Sequence, residues 1–171
     1  MATFNLEIVT PKEMVYAGHV RHLQAPGSQG SFGILAGHVP LLSSLSIGAI
    51  RIDKDDGEFQ LMSISGGVAQ VSSQGVTILA ETAEKASEID VERARLAQER
   101  AEKRLRNEGK EDFDSIRAEA ALGRALNRLK IVVEKYDRTI FVEEALHRLV
   151  EVYYRLGLEQ EAKNAASILG Y

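Results

Sequence analysis

Residues 49–79, AIRIDKDDGEFQLMSISGGVAQVSSQGVTIL, contain two β-hairpin patterns in succession. In the first, Lys54-Asp55-Asp56-Gly57 separates two apolar runs, and in the second Ser73-Gln74-Gly75 does the same. Apolar runs separated by short turns that contain Gly and Asp are typical of paired strands. The stretch therefore predicts two hairpins.

The same pattern extends towards the N-terminus. Phe4, Leu6 and Ile8 alternate with Asn5 and Glu7, as expected of a strand with one buried face. Turn signals recur about every 8–12 residues, which is typical of a sandwich or a partly closed barrel. We predict an antiparallel β-sandwich for the first half of the chain.

The composition changes in the middle of the 171 residues. Residues 1–82 hold four basic and seven acidic side chains, ten of the 14 Gly and all three Pro, whereas residues 83–171 hold 17 basic and 18 acidic side chains. Gly and Pro interrupt strands, whereas charged, Ala-containing sequence favours solvated helices. The predicted boundary lies near 83–87.

The second half shows helical spacing. Ser87 three residues before Asp90 resembles a capping box, and Asn107-Glu108-Gly109 is typical of a helix end. A second helix is expected from near Asp112. The two apolar faces are narrow and consist of Val91, Ala94, Ala97, Ala101 and Leu105, and of Ala118, Leu122, Leu126, Leu129 and Val133. We predict a weakly held antiparallel helical hairpin that can open.

Two more helices are predicted at the C-terminus, over 142–157 and 158–170. Tyr153, Gly157, Ala162 and Ala166 have the spacing of a tetratricopeptide repeat. The predicted fold is thus β then α, with a sandwich domain at 1–86, a hairpin domain at 87–135 and a repeat-like helix pair at 136–171. A single repeat does not bury its own faces, so the pair either packs on the hairpin, binds a partner or is a fusion.

Composition excludes several classes of protein. The chain has no Cys, which excludes disulfides, thiolate metal sites and cysteine nucleophiles. A net charge of −4 argues against nucleic-acid binding. There is no apolar run of about 18 residues and no secretory signal pattern, so we expect a cytosolic protein.

No catalytic site is expected. His19 and His22 lie three apart in predicted strand sequence and so point to opposite faces, which disfavours a shared metal. Gly27, Gly30 and Gly33 are not followed by Lys-Ser or Lys-Thr, so they indicate a tight turn instead of a phosphate loop. We expect neither a metal nor a required cofactor.

Arginines recur along both predicted helices of the hairpin. Arg93, Arg100 and Arg104 have the spacing i, i+7, i+11, and the second helix repeats it with Arg117, Arg124 and Arg128. Two such stripes could bind a triphosphate through bidentate guanidinium contacts. Alternatively they are solvated faces with local i,i+3 ion pairs from Asp90 to Arg93 and from Asp114 to Arg117.

Four segments resemble the epsilon subunit of the bacterial F-type ATP synthase. They are residues 27–42 (GSQGSFGILAGHVPLL), 65–68 (SGGV), 76–83 (VTILAETA) and 89–94 (IDVERA), in the family's order over roughly residues 3–130. The resemblance implies a β-sandwich with a C-terminal helical hairpin. It also implies a non-catalytic rotor subunit at the cytoplasmic face of the bacterial inner membrane.

The resemblance implies partners and ligands as well. The sandwich would contact the gamma shaft and the c ring, with candidate contact residues Gly30, Phe32, Gly33, His38, Pro40 and Leu42. The hairpin would extend towards the beta subunits and inhibit ATP hydrolysis. ATP is the expected regulatory ligand of the folded hairpin, through Ile89, Asp90, Arg93, Ala94, Arg100, Arg124 and Arg128.

The C-terminal residues also resemble one repeat of the lipoprotein that assembles outer-membrane barrels, from as early as Ala125. Arg128 therefore fits either resemblance. Without a Cys anchor, the periplasmic location of that lipoprotein does not transfer to this chain. The resemblance leaves a second functional hypothesis, a scaffold or adaptor that recruits a partner through its repeat-like helices.

Overall fold

The computed structural model describes residues 2–106, 114–135 and 140–168. The chain forms two compact units, Met1–Glu88 and Ile89–Tyr171. Among the described residues, the first unit holds the strands and the second holds four α-helices. The predicted order, β then α, is confirmed, whereas the division of the helical part at residue 135 stays a prediction.

Seven strands and a short 3₁₀ turn build the first unit. They are β1 (Phe4–Val9), β2 (Met14–Gly27), β3 (Gly30–Leu35), β4 (Leu41–Lys54), β5 (Phe59–Ser72), β6 (Gly75–Ala80), β7 (Ala83–Lys85) and the turn Ala86–Glu88. Both predicted hairpins are present. Lys54 and Glu58 close the turn between β4 and β5, while Ser72 pairs with Gly75 between β5 and β6.

The strands of the first unit form a closed circuit. The order β1-β6-β5-β4-β2 returns to β1, with β3 paired to β2 and β7 paired to β5. One pairing differs from the antiparallel prediction, because β1 runs parallel to β6, from Leu6 opposite Val76 to Val9 opposite Leu79. Hairpin signals report only neighbouring strands, so a pairing between the two ends of the unit left no local signal.

Alternating side chains of the long strands fill the interior of the first unit. The buried cluster contains Leu6, Ile8, Val20, Leu23, Ala25, Ile34, Leu45, Ile50, Ile52, Met62, Ile64, Ala69, Val71, Val76, Ile78 and Ala80. Gly67 shows how closely the strands approach. A Cβ atom at Gly67 would lie 2.1 Å from the carbonyl oxygen of Leu79, and its φ is +142°. Only glycine fits this position.

The helices of the second unit are α1 (Val91–Leu105), α2 (Ser115–Lys135), α3 (Ile140–Arg155) and α4 (Glu159–Ile168). The predicted capping box at Ser87 is wrong. The residue that caps α1 is Asp90, whose Oδ1 accepts a 2.9 Å hydrogen bond from the Arg93 backbone N–H, while Ser87 lies in the 3₁₀ turn. The predicted helix end at 107–109 and the predicted start near Asp112 lie outside the described residues.

Two buried clusters fix the direction of the helices. Near its start, α1 contributes Ala94 to a cluster that contains Leu129 from the later part of α2. Near its end, α1 contributes Ala101 to a cluster that contains Leu122 from the earlier part of α2. The two helices are therefore antiparallel, as predicted.

Candidate functional site

The segment Gly27–Leu42 forms one edge of the first unit. Gly27 pairs with Gly30 across a two-residue turn, and β3 then pairs with β2 alone. A second turn follows β3, in which the His38 N–H donates to the Leu35 carbonyl over 3.1 Å. The first turn also contacts β4, because the Ser28 N–H donates to the Ser44 carbonyl over 3.2 Å.

The predicted contact residues of this segment differ in exposure. Gly30, Gly33, Pro40 and Leu42 are exposed. Phe32 is half-buried against the core of the unit. His38 Nδ1 lies 2.8 Å from the Val39 carbonyl oxygen, which gives this side chain a role in its own turn. Their contact function stays a prediction.

The structure shows an exposed apolar surface of which the sequence prediction named only Leu42. We name it the outer strip: Leu42 of β4, Val68 of β5 and Leu79 of β6, of which Leu42 is 73% and Leu79 55% exposed. Val68 pairs with Leu79 and with Ser44, two residues from Leu42, so all three side chains lie on the outer face of the sheet. The signal in the sequence is a large apolar residue on the polar side of each strand.

A charged cluster lies between β2 and β4. Asp53 Oδ2 is 3.0 Å from His22 Nδ1, and Asp53 Oδ1 accepts a 2.9 Å hydrogen bond from Arg51 Nε. Partial burial opposes ionisation of Asp53, but the hydrogen bonds from His22 and Arg51 outweigh it and hold the pKa of this carboxyl below its ordinary value. The cluster crosslinks two strands.

The described residues contain neither a metal-holding cluster nor a membrane-spanning helix. Within 2–106, 114–135 and 140–168, His, Asp and Glu side chains do not form a group of three that could hold a metal ion. Among the helices in these ranges, none is long and apolar enough to cross a membrane.

Each arginine of the two predicted stripes directly precedes a position on the apolar face of its helix. Arg93 precedes Ala94, Arg100 precedes Ala101 and Arg124 precedes Ala125, and all three alanines are buried. One residue of an α-helix is a rotation of about 100°, so both stripes lie on the same rotational side of their buried faces. Because α1 and α2 are antiparallel, an equal rotation places both stripes on one side of the hairpin.

The arginines of the two stripes differ in their ion-pair partners. Arg117 Nε is 2.9 Å from Asp114 Oδ2, which is the predicted local ion pair. Asp90 instead bonds only the backbone of Arg93, so the predicted Asp90–Arg93 ion pair is wrong. Among the described residues, the guanidinium groups of Arg93, Arg100 and Arg124 form no ion pair, whereas Arg128 has an interaction partner.

The remaining residues of the candidate nucleotide set have structural roles. Ala94 is buried in the helical core, Asp90 caps α1 and Ile89 is half-buried. The structure therefore brings the arginines to one side of the hairpin but does not place Ala94 on a surface. ATP binding stays a prediction.

Three protein families match the sequence. The family described as "ATP synthase, Delta/Epsilon chain, beta-sandwich domain" matches residues 3–86, and "ATP synthase, Delta/Epsilon chain, long alpha-helix domain" matches 87–132. A third family, described as "Outer membrane lipoprotein", matches residues 116–168. The second and third matches overlap on α2.

Curated relatives match about three quarters of the chain. An ATP synthase epsilon chain of Nitratidesulfovibrio vulgaris is 47% identical over 129 residues, which are 75% of this chain and 95% of that protein. One from Halalkalibacterium halodurans is 47% identical over 131 residues, 77% of this chain and 98% of that protein. Neither the relatives nor the solved structures support the adaptor hypothesis.

Solved structures show the same fold. A chain of the cryo-EM structure of the Euglena gracilis mitochondrial ATP synthase, OSCP/F1/c-ring, has a TM-score of 0.64 and 28% identity, and the match covers 72% of this chain and 77% of that chain. A chain of the Tetrahymena thermophila mitochondrial ATP synthase central stalk/c-ring has a TM-score of 0.51 at 15% identity, over 77% of this chain and 97% of that chain.

Proposed function

The chain belongs to the delta/epsilon chain family of the ATP synthase, and from this we propose that it couples the gamma shaft to the ring of c subunits and regulates ATP hydrolysis through its helices. It is a non-catalytic subunit of that complex. The observation that carries the proposal is a 47% identity that spans 95% of an ATP synthase epsilon chain.

We assign the outer strip to the contact with the gamma shaft. Three large apolar side chains on adjacent strands form a patch that a free-standing unit would not be expected to expose, and such patches mark interaction sites. The turns of segment Gly27–Leu42 are assigned to the c ring. The assembled subunit would lie at the cytoplasmic face of the bacterial inner membrane, held there by its partners.

The test of this assignment is reconstitution. Bacterial membranes depleted of their own epsilon subunit are mixed with the full chain, and proton-driven ATP synthesis is measured together with binding to purified gamma. We expect synthesis to return with the unchanged chain. Leu42→Asp combined with Leu79→Asp should weaken gamma binding at least about tenfold, because a carboxylate cannot be desolvated cheaply at an apolar interface.

Ile116→Asp is the matched control, since Ile116 is 78% exposed but lies in the helical unit. It should leave gamma binding unchanged. If the unchanged chain neither binds gamma nor restores synthesis, the proposed function is wrong. If the double variant binds as well as the control does, the assignment of the outer strip is wrong.

We assign regulation to the hairpin of α1 and α2. Its arginine stripes face one side, where guanidinium groups could pair with the phosphates of ATP. ATP bound there would stabilise the folded hairpin and oppose its extension towards the beta subunits, because a ligand favours the state that it binds. No other cofactor is proposed.

Titration of ATP into the full chain tests this assignment through the thermal stability of the helical unit. ATP at ten times its dissociation constant should stabilise that unit by about 1.4 kcal/mol. Arg93→Ala should weaken binding about tenfold, as expected from the loss of a charged contact. Lys163→Ala removes an exposed cation of α4, outside the hairpin, and should change nothing. Absence of stabilisation at millimolar ATP would contradict the assignment.

A further inference from the structure

The helices α3 and α4 lie beyond the part of the chain that the long alpha-helix family covers. The long alpha-helix family match ends at residue 132, and the outer membrane lipoprotein match runs from 116 to 168. The helix α2 falls within both matches. It is the second helix of the regulatory hairpin and also the first helix of a repeat-like group with α3 and α4.

In the buried clusters, too, α2 packs both with α1 and with α3. One cluster combines Ala94 of α1, Leu129 of α2 and Leu149 of α3. The other combines Ala101 of α1, Leu122 of α2 and Val152 of α3. In these clusters the buried residues of α1 are the small Ala94 and Ala101, so the larger residues of α3 complete both clusters. Separation of α1 from α2 would therefore also expose α3.

Polar contacts connect α3 to α1. Arg155 of α3 donates a 2.8 Å hydrogen bond to Glu102 Oε2, and Glu102 also accepts bonds from Gln98 and Arg106 of α1. The Glu102 side chain is only 12% exposed. Near the other end of α1, Arg95 chiefly and Arg148 of α3 to a smaller extent lower the pKa of Glu92.

Two contacts between the hairpin and α3 lie away from the arginines Arg100 and Arg124. Glu102 follows the buried Ala101 by one residue, whereas Arg100 precedes it. In the same way Leu126, which packs in both clusters, follows Ala125, whereas Arg124 precedes it. A step of one residue in either direction is a rotation of about 100°, so the two sets lie on opposite sides.

We propose that α3, with Ala165 of α4 in the same buried cluster, forms an intramolecular clasp that holds α1 and α2 in the compact hairpin. The clasp must release before the hairpin can extend. Its regulatory meaning rests on the proposed function, whereas its existence is a property of the isolated chain. The clasp and ATP would favour the same state from two different faces, without competing for residues.

Hydrogen exchange of the full chain without nucleotide tests the clasp. Arg155→Glu breaks the contact with Glu102 and places two carboxylates together. It should raise amide exchange in α1 and α2 about threefold, the size expected of a partly exposed ion pair. The added substitution Glu102→Arg should restore protection. Lys163→Glu makes the same charge change on an exposed residue of α4 and should have no effect.

A second pair of variants tests the apolar contact. Val152→Asp places a carboxylate in the cluster with Ala101 and Leu122 and should raise exchange in α1 and α2 at least about tenfold. Tyr154→Asp, at a position that is 74% exposed on the same helix, is its control. Amides in β1 to β6 should be unchanged throughout.

Two outcomes separate the clasp from the proposed function. If α3 loses its protection while α1 and α2 stay as protected as in the controls, the clasp is overturned. If the clasp variants behave as expected but added ATP protects none of these helices, the nucleotide assignment fails and the clasp stands.

Discussion

At the scale of single residues, two aspartates begin the two helices of the hairpin in the same way. Asp90 Oδ1 accepts the Arg93 N–H and Asp114 Oδ1 accepts the Arg117 N–H, both over 2.9 Å. An N-cap of this kind satisfies a backbone donor that the helix itself leaves free. The shared geometry explains why an aspartate precedes each arginine stripe without reference to any ligand.

We expect Asp90→Ala to destabilise the helical unit by about 1 kcal/mol, because the cap is lost. Asp90→Asn keeps a capping oxygen and should cost only a few tenths. Asp114→Ala removes the corresponding cap of α2 and shows how much the loss of a cap alone destabilises the helical unit. If Asp90→Asn abolishes ATP binding while α1 remains stable in thermal unfolding, the carboxylate has a role beyond capping.

Asp53 should make the stability of the first unit depend on pH. The pKa of Asp53 is lower in the folded chain than in the unfolded chain. As the pH falls, the unfolded chain therefore binds a proton at this group before the folded chain does. The stabilisation from this group is fully present above about pH 4 and is lost as the pH falls below that value. Denaturant unfolding between pH 6 and 2 measures the effect, and Asp53→Asn should flatten it.

Asp55→Asn is the control for that measurement, because Asp55 lies exposed in the turn between β4 and β5. It should leave the pH profile of the unchanged chain in place. A profile that is equally steep with and without the Asp53 carboxyl would show that other groups determine the acid sensitivity of the unit.

At the scale of elements, the Ser65-Gly66-Gly67 segment shows how a motif arises from close packing. Gly66 and Gly67 have φ values of +117° and +142°, and the Ser65 hydroxyl lies 2.6 Å from that of Thr82. The Glu81 N–H donates to the Gly66 carbonyl over 3.1 Å. These contacts hold the residues that follow β6 against the middle of β5.

Gly67→Ala should destabilise the first unit by more than Gly30→Ala does. Both positions have positive φ, which costs about 1 to 3 kcal/mol for alanine. Gly30 has open space where a Cβ would lie, whereas Gly67 meets the Leu79 carbonyl. The denaturant midpoint for unfolding of the first unit measures the difference. Equal losses of stability in the two variants would contradict the steric explanation.

Local patterns predicted most of the elements, and the exceptions have physical reasons. The alternation in β1, both hairpins and the helical faces were readable because each is set by residues that lie near one another in sequence. The β1–β6 pairing and the role of Glu102 were not readable, because they join residues that are distant in sequence. The spacing of the arginines was visible in the sequence. That the two stripes lie on the same side of the hairpin became clear only from the antiparallel direction of α1 and α2.

At the scale of the whole molecule, the helical unit has two faces with different assignments. Arg100 and Arg124 lie on one side of the hairpin, and the contacts of Glu102 and Leu126 with α3 lie on the other. If both ATP and the clasp favour the compact state, the two are linked thermodynamically, and the coupling is equal in both directions. Neither effect requires contact between the tail and the nucleotide.

We therefore expect Arg155→Glu to weaken ATP binding by no more than the factor by which it opens the hairpin, about threefold. Calorimetric titration of the full chain measures the affinity, and the exchange rates of α1 amides measure the opening. The double variant with Glu102→Arg should regain both. A much larger loss of affinity in Arg155→Glu would place this side chain in the nucleotide site itself.

The parallel pairing of β1 with β6 affects how the protein is made. Leu6 must wait for Val76, which leaves the ribosome many residues later. At about 5–20 residues per second, translation needs several seconds to supply that partner, during which β1 has only β2 to pair with. The circuit can close only after β6 has emerged, so β1, although synthesised before the other strands of this unit, is among the last to have both its neighbours in place.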